Sequence, residues 1–280
     1  MILAVDAGGT YYRAGLYEND TAVKTFFTHS ESDDLCSWIE GIFKENETIT
    51  KVCIGYAGQV HKGVIFSSPN IKVDRADIKA YLEEKYNIKV LLQNDLSCAV
   101  LAEAAYYKTG DICALYLGTG MGLGVVSSGS LLKGCKNMAA ELGHIPYKEA
   151  PFSCGCGKNN CLELFASGEG VAKFKRHLHL DDNITLQQLK NSTDVKEKNI
   201  YEEFEKALLQ GVATAITLFN PCVLVIGGGI IKNYDELFDT VLSKYKNFTM
   251  PVLTQDVRIV KTQIDNAVLT GALLLKDEDE

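Results

Sequence analysis

The chain has 280 residues, of which 46% are hydrophobic, so it can bury one large core or two of medium size. Its 28 basic and 36 acidic residues give a net charge of -8, which offers no electrostatic attraction to nucleic acid or an anionic membrane. No apolar run approaches the roughly 18 residues of a membrane helix, and the apolar start is too short for a signal peptide. These features predict a cytoplasmic protein of two domains that acts on a small neutral ligand.

The number and distribution of the cysteines agree with a cytoplasmic location. The count of nine is odd, and six of the cysteines are scattered singly, several of them among apolar residues. This distribution is typical of reduced thiols in the cytosol, so we expect no disulfide framework. The six are Cys36, Cys53, Cys98, Cys113, Cys135 and Cys222.

The chain opens with a strand, a glycine turn and a second strand. Residues 2–5 form the first strand and residues 13–17 the second, and a turn at Asn19 and Asp20 leads into a third.

The glycine turn between the first two strands offers donors to an anion. Gly8 and Gly9 let backbone N–H groups approach closely, and Thr10 adds a hydroxyl donor. Asp6, at the end of the strand, is placed to orient water on a magnesium ion. The alternative is an ordinary hairpin with a Gly-Gly turn.

A second candidate feature is the junction of a strand with a helix. A strand at residues 87–93 runs directly into Asn94 and Asp95, and a helix with one apolar face follows to about residue 107. Such junctions are where α/β sheets place ligands. The alternative for Asp95 is the common role of a helix N-cap.

The arrangement of strand and glycine turn recurs about 110 residues later. An apolar strand at residues 112–117 leads into the turn, and a strand at residues 123–127 follows it. The turn contains Gly118, Thr119, Gly120 and Gly122. This repetition predicts two related halves that face one nucleotide.

A third glycine turn contains Gly227, Gly228 and Gly229. It follows a strand at residues 222–226 and precedes a helix predicted at residues 234–245. The dinucleotide-binding pattern of glycines and its acidic partner are absent, and so is the lysine of a P-loop.

Residues 141–163 contain a set of metal-type donors. Cys154 follows His144 closely, Cys156 comes two residues later, and Cys161 completes the set. Three thiolates and an imidazole at this spacing predict a zinc site, which four protein ligands would close and make structural. The alternative is a group of small buried thiols, but the neighbouring residues show no apolar periodicity.

Two carboxylates, Glu141 and Glu163, flank these donors. A metal would hold both in place, and charged acceptors suit the hydroxyls of a neutral polyhydroxy ligand. The alternative for each is an exposed acid at the start of a helix.

Most of the region 168–219 is predicted to be helical, with a polar interruption at 181–198 that forms a loop or an insertion. An apolar stripe at helical spacing stops at Asn220 and Pro221 and belongs to the core. The stripe consists of Phe204, Leu208, Val212, Ala215 and Phe219. A last apolar helix is predicted near the C-terminus, ahead of an acidic tail.

Residues 140–163 resemble the signature of the ROK group of sugar kinases and sugar-responsive repressors. That signature reads Gly-Glu-(Ile or Leu)-Gly-His, nine residues, and Cys-x-Cys-Gly-x-x-Gly-Cys-x-Glu, and the chain keeps its spacing. Ala140 and Asn160 stand where the group has glycine. The glycine turns also resemble the phosphate and adenosine loops of the superfamily of actin, sugar kinases and heat-shock ATPases.

The resemblance implies an α/β fold of two actin-like, ribonuclease H-like domains around a central cleft. The first domain would span residues 1–109, joined by a C-terminal helix at 266–280. The second, at residues 110–265, would carry the zinc segment. ATP and magnesium would be held by the glycine turns.

The resemblance also implies roles for the sugar site. A hexose would be bound by Asn94, Asp95, Glu141, His144 and Glu163. Asp95 would be the catalytic base, and His144 would bind zinc through one ring nitrogen and donate to the sugar through the other.

The predicted function is ATP-dependent phosphorylation of a hexose, with glucose as first choice and N-acetylmannosamine or fructose as alternatives. A non-catalytic sugar-sensing regulator is the alternative of another class, although the base Asp95 is present. A ROK repressor needs an N-terminal helix-turn-helix, and the first turn already begins at Asp6, so DNA binding is not expected. A homodimer or homotetramer is expected.

Overall fold

Strands and helices alternate along the chain, which confirms the predicted α/β class. The computed structural model describes residues 1–19, 21–68 and 71–279. Its strands are β1 Ile2–Ala7, β2 Tyr11–Glu18, β3 Thr21–His29, β4 Lys51–Tyr56, β5 Gln59–His61, β6 Val64–Ser67, β7 Lys89–Asn94, β8 Ile112–Leu117, β9 Met121–Ser127, β10 Ser130–Leu131, β11 Val223–Gly227 and β12 Arg258–Lys261. Its α-helices are α1 Leu35–Glu45, α2 Ile78–Tyr86, α3 Asp95–Tyr107, α4 Gly168–His177, α5 Leu186–Asn191, α6 Val195–Phe219, α7 Gly229–Asn233, α8 Asp235–Lys244 and α9 Ala267–Leu273. Short 3-10 helices lie at Leu142–His144, Leu162–Leu164, Tyr245–Asn247, Pro251–Thr254 and Asp277–Asp279.

The chain divides into two compact units that are each discontinuous in sequence. The first contains Met1–Gly110, Ser128–Ala139 and Ile264–Glu280, and the second contains Asp111–Ser127 and Ala140–Gln263. Each unit is therefore held together by contacts between segments that lie far apart in the chain.

The sheet of the first unit has the strand order β3-β2-β1-β4-β7. β1 pairs antiparallel with β2 and parallel with β4, and β4 pairs parallel with β7. Ala7 lies opposite Tyr56, and Tyr56 lies opposite Asn94. Because parallel strands end at the same edge of a sheet, the first glycine turn and the junction at Asn94 leave from one edge.

The second unit repeats this pattern of strand directions. β8 pairs antiparallel with β9 and parallel with β11, and β11 pairs parallel with β12. Tyr116, near the end of β8, lies opposite Gly227, the last residue of β11. The second and third glycine turns therefore also start from one sheet edge.

Both faces of the first sheet are covered by helices. Ile39 of α1 and Leu82 of α2 are fully buried on one face, and Cys98 of α3 and Ala272 of α9 on the other. Gly271 of α9 lies so close to the Cys98 carbonyl that any side chain there would overlap with it. Glycine thus permits the close packing of α9 on α3.

The apolar stripe of α6 is part of the core of the second unit, as predicted. Four of its residues are buried there: Phe204, Leu208, Val212 and Ala215. The helix ends at Phe219, and Asn220 caps it in the left-handed conformation with φ 43° and ψ 55°. Asparagine adopts that conformation more readily than most residues, so the helix ends where the sequence indicated.

The polar region 181–198 is more helical than expected. It contains α5 and the start of α6. Thr185 and Gln188 form a reciprocal capping box at the start of α5, and Leu186 and Leu189 are buried in the core. Two apolar anchors and a good cap therefore stabilise a short helix in a sequence that is polar on average.

Two other helices differ from the prediction in their bounds. The helix expected at residues 234–245 is α8, and a separate helix, α7, already begins at Gly229. The last helix, expected at 266–280, ends at Leu273. In the predicted turn at residues 19–20, Asp20 lies outside the described residues.

Among the described helices, none combines the length and apolar character needed to cross a membrane. The nine cysteines are all free thiols. Of the six scattered ones, Cys36, Cys53, Cys98 and Cys113 are buried, and Cys135 and Cys222 are exposed.

Candidate active site and metal centre

The first glycine turn joins β1 to β2 as a tight connection. The N–H of Gly8 donates to the carbonyl of Tyr11 at 3.0 Å. Ser30 supports the turn, since its hydroxyl donates to the Gly9 carbonyl at 2.7 Å and its N–H to the Thr10 carbonyl at 3.1 Å. The Gly8 amide is thus used within the hairpin, which leaves the N–H groups of Gly9 and Thr10 and the Thr10 hydroxyl as candidate phosphate donors.

Asp6 lies at the end of β1 and is buried, with 7% of its surface exposed. Its Oδ2 accepts hydrogen bonds from Nδ2 of Asn266 at 3.2 Å and from Nη1 of Arg13 at 3.4 Å. Burial raises the pKa of Asp6, and the contacts with Asn266 and Arg13 only partly oppose that rise. The carboxyl group is therefore fixed in position, but its charge is incompletely compensated.

Asn94 is the N-cap of α3. Its Oδ1 accepts from the N–H groups of Leu96 at 2.9 Å and Ser97 at 3.1 Å, and its Nδ2 donates to the Gly58 carbonyl at 3.1 Å. Asp95 is the first residue of the helix, is partly exposed, and its Oδ1 shares the Leu96 N–H. The N-cap position, which was the alternative for Asp95, thus belongs to Asn94.

Asp6 and Asp95 come from different strand ends and share a buried neighbour. The thiol of Cys98 on α3 has its pKa raised by burial first, and further by the negative charges of Asp95 and Asp6. The first unit therefore brings both predicted carboxylates to the sheet edge that also carries the first glycine turn.

The second glycine turn follows β8 and is held by the start of α4. The N–H of Gly118 donates to the Gly120 carbonyl at 2.9 Å. The carbonyls of Gly118 and Thr119 accept from the N–H groups of Gly168 and Glu169 at 2.9 and 3.0 Å. Among the described atoms, none beyond the adjoining residues lies within 4 Å of the space beside the Gly118 Cα. A ligand can therefore approach this backbone closely.

Gly122 lies outside this turn, contrary to the prediction. It is the second residue of β9 and pairs with Tyr116. The strand begins at Met121, two residues earlier than the sequence indicated, because the turn closes within Gly118–Gly120.

The third glycine turn lies beside the end of β8. Gly227 is the last residue of β11, Gly228 has a φ of 92°, and Gly229 begins α7. A side chain on Gly228 would overlap with the Leu117 carbonyl, so only glycine fits there. The space around Gly229 is open within the described residues.

A chain reversal brings the metal-type donors together. Pro146 forms an antiparallel bridge with Cys161, and the Leu162 N–H donates to the Ile145 carbonyl at 3.0 Å. This pairing brings the segment after His144 alongside the segment that carries Cys161.

A tight loop carries the remaining two cysteines. The Cys154 N–H donates to the Lys158 carbonyl at 2.7 Å, and the Gly157 N–H donates to the Cys154 carbonyl at 2.9 Å. Gly157 has a φ of 89°, and Gly155, the other flanking glycine, has no positive φ. One glycine in the left-handed region is thus sufficient to close the loop around Cys156.

The four donor atoms of His144, Cys154, Cys156 and Cys161 all lie within 4.8 Å of one another. Cys154 Sγ is 3.6 Å from His144 Nδ1, and Cys156 Sγ is 3.3 Å from Cys161 Sγ. Three thiols and one imidazole suit zinc, and four protein ligands complete a tetrahedral site. The residues therefore fit a structural zinc ion.

Glu163 links this cluster to the second glycine turn. Its Oε1 accepts from the Cys154 thiol at 3.4 Å, and its Oε2 accepts from the Met121 N–H at 3.0 Å. A side chain on Gly120 would displace Glu163 Oε2, so the glycine leaves room for the carboxylate in this position.

Glu141 lies on the opposite side of the His144 ring. Its Oε2 is 3.9 Å from His144 Nε2, whereas His144 Nδ1 faces Cys154. The two ring nitrogens thus face a carboxylate and a metal-type donor. This is the arrangement that a double role of the imidazole needs.

Some residues of these sites were not found from the sequence. Asn266 was placed only at the start of the last helix, yet it both accepts from the Leu269 N–H and donates to Asp6, 260 residues away. Its position before an apolar run is an N-cap signal, but no local pattern indicates the contact with Asp6. Arg13 and Gln93 were missed for the same reason.

Comparison with known proteins defines the class of this protein. The ROK family model matches residues 2–278. A glucokinase of Thermotoga maritima is 28% identical over 99% of this chain and 97% of its own length. A xylose repressor of Caldicellulosiruptor bescii is 27% identical over 82% of this chain and 63% of its own length.

The fold is shared with a ROK family glucokinase from Streptomyces griseus, solved in complex with glucose and AMPPNP. The TM-score is 0.80 at 23% identity, with 99% of both chains covered. The match over nearly the whole sequence shows that the chain belongs to the ROK family.

We expect the purified protein to contain about one zinc per chain, measured by elemental analysis. Metal binding would supply folding energy to the segment that carries Glu141 and Glu163, so Cys156→Ser should lose the zinc and expose that segment. Amide hydrogen exchange should then rise in residues 141–163 and stay unchanged in residues 1–30.

Cys222→Ser is the matched control for this variant. Cys222 is an exposed cysteine outside the cluster, so its substitution should leave both zinc content and exchange unchanged. Wild-type protein without zinc would contradict the metal site.

Proposed function

We propose that this protein transfers the γ-phosphoryl group of ATP to the primary hydroxyl of a hexose, and that glucose is the preferred hexose. The protein is an ATP-dependent sugar kinase. The glucokinase of Thermotoga maritima, aligned over 99% of this chain, supports glucose as the substrate. N-acetylmannosamine and fructose are the alternatives within the same class.

The contacts of Glu163 are the observation that carries the proposal. Phosphoryl transfer needs the acceptor hydroxyl and the phosphate next to one another. Glu163, a candidate for sugar hydroxyls, accepts from the amide that directly follows the second glycine turn. A carboxylate has about four lone-pair positions, and the Met121 N–H uses one of them, which leaves capacity for sugar hydroxyls.

We assign the sugar contacts to Asn94, Asp95, Glu141, His144 and Glu163. In this assignment His144 would hold zinc through the ring nitrogen that faces Cys154, and its Nε2 would donate to a sugar hydroxyl. Zinc, when bound, would supply the rigidity that keeps the two glutamates in place.

We assign the nucleotide to the three glycine turns. Gly9, Thr10 and the backbone of Gly118–Gly120 would contact the phosphates, with Gly8 and Gly122 shaping the backbone beside them. Gly227–Gly229 would border the adenosine. Magnesium would neutralise charge on the phosphates, and the buried carboxylate of Asp6 would orient its water.

Asp95 is the proposed base. As the primary hydroxyl attacks the γ-phosphorus, the bond from phosphorus to the leaving oxygen of ADP breaks and Asp95 accepts the hydroxyl proton. Asp95 is the first residue of α3, directly after the N-cap Asn94, and its side chain is partly exposed at that helix start. In a loose transition state the proton leaves late, so alignment by Asp95 matters as much as its basicity.

A non-catalytic sugar-sensing regulator is the alternative function. The similarity of this chain to a xylose repressor supports this alternative. A cytoplasmic location, a homodimer or homotetramer, and the absence of nucleic-acid binding stay predictions from the sequence.

A coupled assay of ADP release across hexoses and N-acetylhexosamines tests the proposal. We expect the highest kcat/KM with glucose. A much higher kcat/KM with N-acetylmannosamine would make the glucose assignment wrong and keep the kinase class. Sugar binding by calorimetry without any ADP release would instead support the regulator.

We expect Asp95→Asn to lower kcat at least ~100-fold, the typical effect of a lost general base, and to change sugar affinity far less. The substitution keeps the shape and one acceptor oxygen and removes the base. Steady-state kinetics and calorimetric sugar binding measure the two effects separately.

Asp77→Asn is the matched control. Asp77 is an exposed aspartate at the N-cap position of α2, where its side chain makes no capping hydrogen bond, so its substitution should leave kcat unchanged. Near-normal turnover of Asp95→Asn would show that Asp95 is not the base, and Glu141 and Glu163 would then be the candidates.

We expect Asn266→Asp to shift the acid limb of the pH–rate profile to higher pH. The variant keeps the capping oxygen for Leu269 but places a second carboxylate beside Asp6, which raises the already elevated pKa of Asp6. Activity that needs ionised Asp6 is lost as pH falls through that pKa, so the loss should begin about one pH unit higher. An acid limb at the wild-type pH would show that Asp6 does not control it.

A further inference from the structure

Gln93 is a fully buried polar side chain immediately before Asn94. Its Oε1 accepts from the backbone N–H of Asn94 at 2.6 Å and from Nδ2 of Asn137 at 2.5 Å. Its Nε2 donates to Oδ1 of Asn137 at 3.4 Å and to the carbonyl of Asp279. One neutral side chain therefore joins the start of the Asn94–Asp95 junction to two segments that are remote in sequence.

Asn137 completes this network. Its Nδ2 also donates to the Val60 carbonyl at 2.9 Å, and its backbone is left-handed with a φ of 58°. The four amide hydrogens of Gln93 and Asn137 are thus all donated. A buried polar network is stabilising and rigid only when it is satisfied in this way, and removing one member leaves the others unpaired at a cost.

The position of this network gives it a consequence for the active site. The Asn94 amide that Gln93 binds belongs to the N-cap residue of α3, and the cap fixes the direction of the first helical residue, Asp95. β7 is the last strand of its sheet, so within the described residues no further strand is paired with the other side of its backbone. Gln93 and Asn137 support this strand.

We propose that Gln93 and Asn137 are a positioning pair that holds Asn94 and Asp95 in the orientation needed for phosphoryl transfer. This inference rests on the proposed function of Asp95 as the base. Neither residue is catalytic. Asn137 acts through Gln93, and Gln93 acts through the backbone of Asn94. The segment Ser128–Ala139 and the C-terminal turn at Asp279 thereby support the backbone that carries Asn94 and Asp95.

Asn137→Gly is the variant that isolates this role. Glycine adopts the positive φ at this position without strain, so the backbone is kept and only the amide group is lost. A misplacement of about 1 Å at a reacting group can cost ~100-fold in rate, so we expect kcat to fall roughly tenfold or more. KM for ATP should stay unchanged, because the nucleotide turns are not touched.

Asn87→Gly is the matched control. Asn87 is an exposed asparagine in the same unit, with a similar left-handed φ of 51° at the end of α2. The two variants make the same chemical change, and only Asn137→Gly breaks the network. A merely structural role would lower the melting temperature and the amount of folded enzyme but leave kcat per folded molecule equal to the control.

Gln93→Glu is a second, isosteric variant. It removes both donors and turns a carboxylate toward the Asp279 carbonyl and Asn137 Oδ1, so its kcat should fall further than that of Asn137→Gly. If it does not fold, Asn137→Gly still decides the proposal.

The measurements are kcat and KM for sugar and ATP, together with amide hydrogen exchange of residues 94–97. We expect faster exchange there in Asn137→Gly than in Asn87→Gly. Equal kcat and equal exchange in the two variants would overturn the positioning role. If the wild type phosphorylates no sugar, the proposed function fails, and the exchange measurement still tests whether the pair orders the start of α3.

Discussion

The metal-type donors converge only because the chain doubles back between Pro146 and Cys161. The reversal brings the donor atoms of His144 and three thiols within 4.8 Å of one another, and this donor set suits a zinc ion. Glu163 is tied to the cluster through Cys154 and to the second glycine turn through Met121. Glu163 thus connects the metal-type site to the backbone that we propose binds phosphate.

In the first unit, sheet topology brings residues together that lie far apart in the chain. β1, β4 and β7 are parallel, so their carboxyl ends lie at one edge of the sheet. Asp6, Gly58, Asn94 and Asp95 all lie at or just beyond these strand ends. The supports of this edge differ in charge. Asp6 is buried against an amide and a guanidinium, whereas Asn94 is held by the neutral side chain of Gln93. A neutral support avoids adding charge beside the carboxylates, and burial already raises the pKa of Asp6.

Several parts of the fold could be predicted because their signals are local. The α6 stripe ends at Phe219 as expected, since Asn220 and Pro221 cannot continue a helix. The element bounds that were predicted wrongly depend on tertiary contacts. Region 181–198 is partly helical because Leu186 and Leu189 reach the core. Neither contact is visible in a window of the sequence.

The sequence by itself determined the donor set, the glycine turns and the strand-to-helix junction, because spacing and residue type specify each of those features within a short stretch of chain. Only the tertiary structure decided which side chains support them. Glu163 binds Met121 across 42 residues, Gln93 binds Asn137 across 44, and Asn266 binds Asp6 across 260. A polar side chain in a sequence has many compatible partners, and the choice among them is made by the packing of strands and helices that brings one partner within hydrogen-bonding distance.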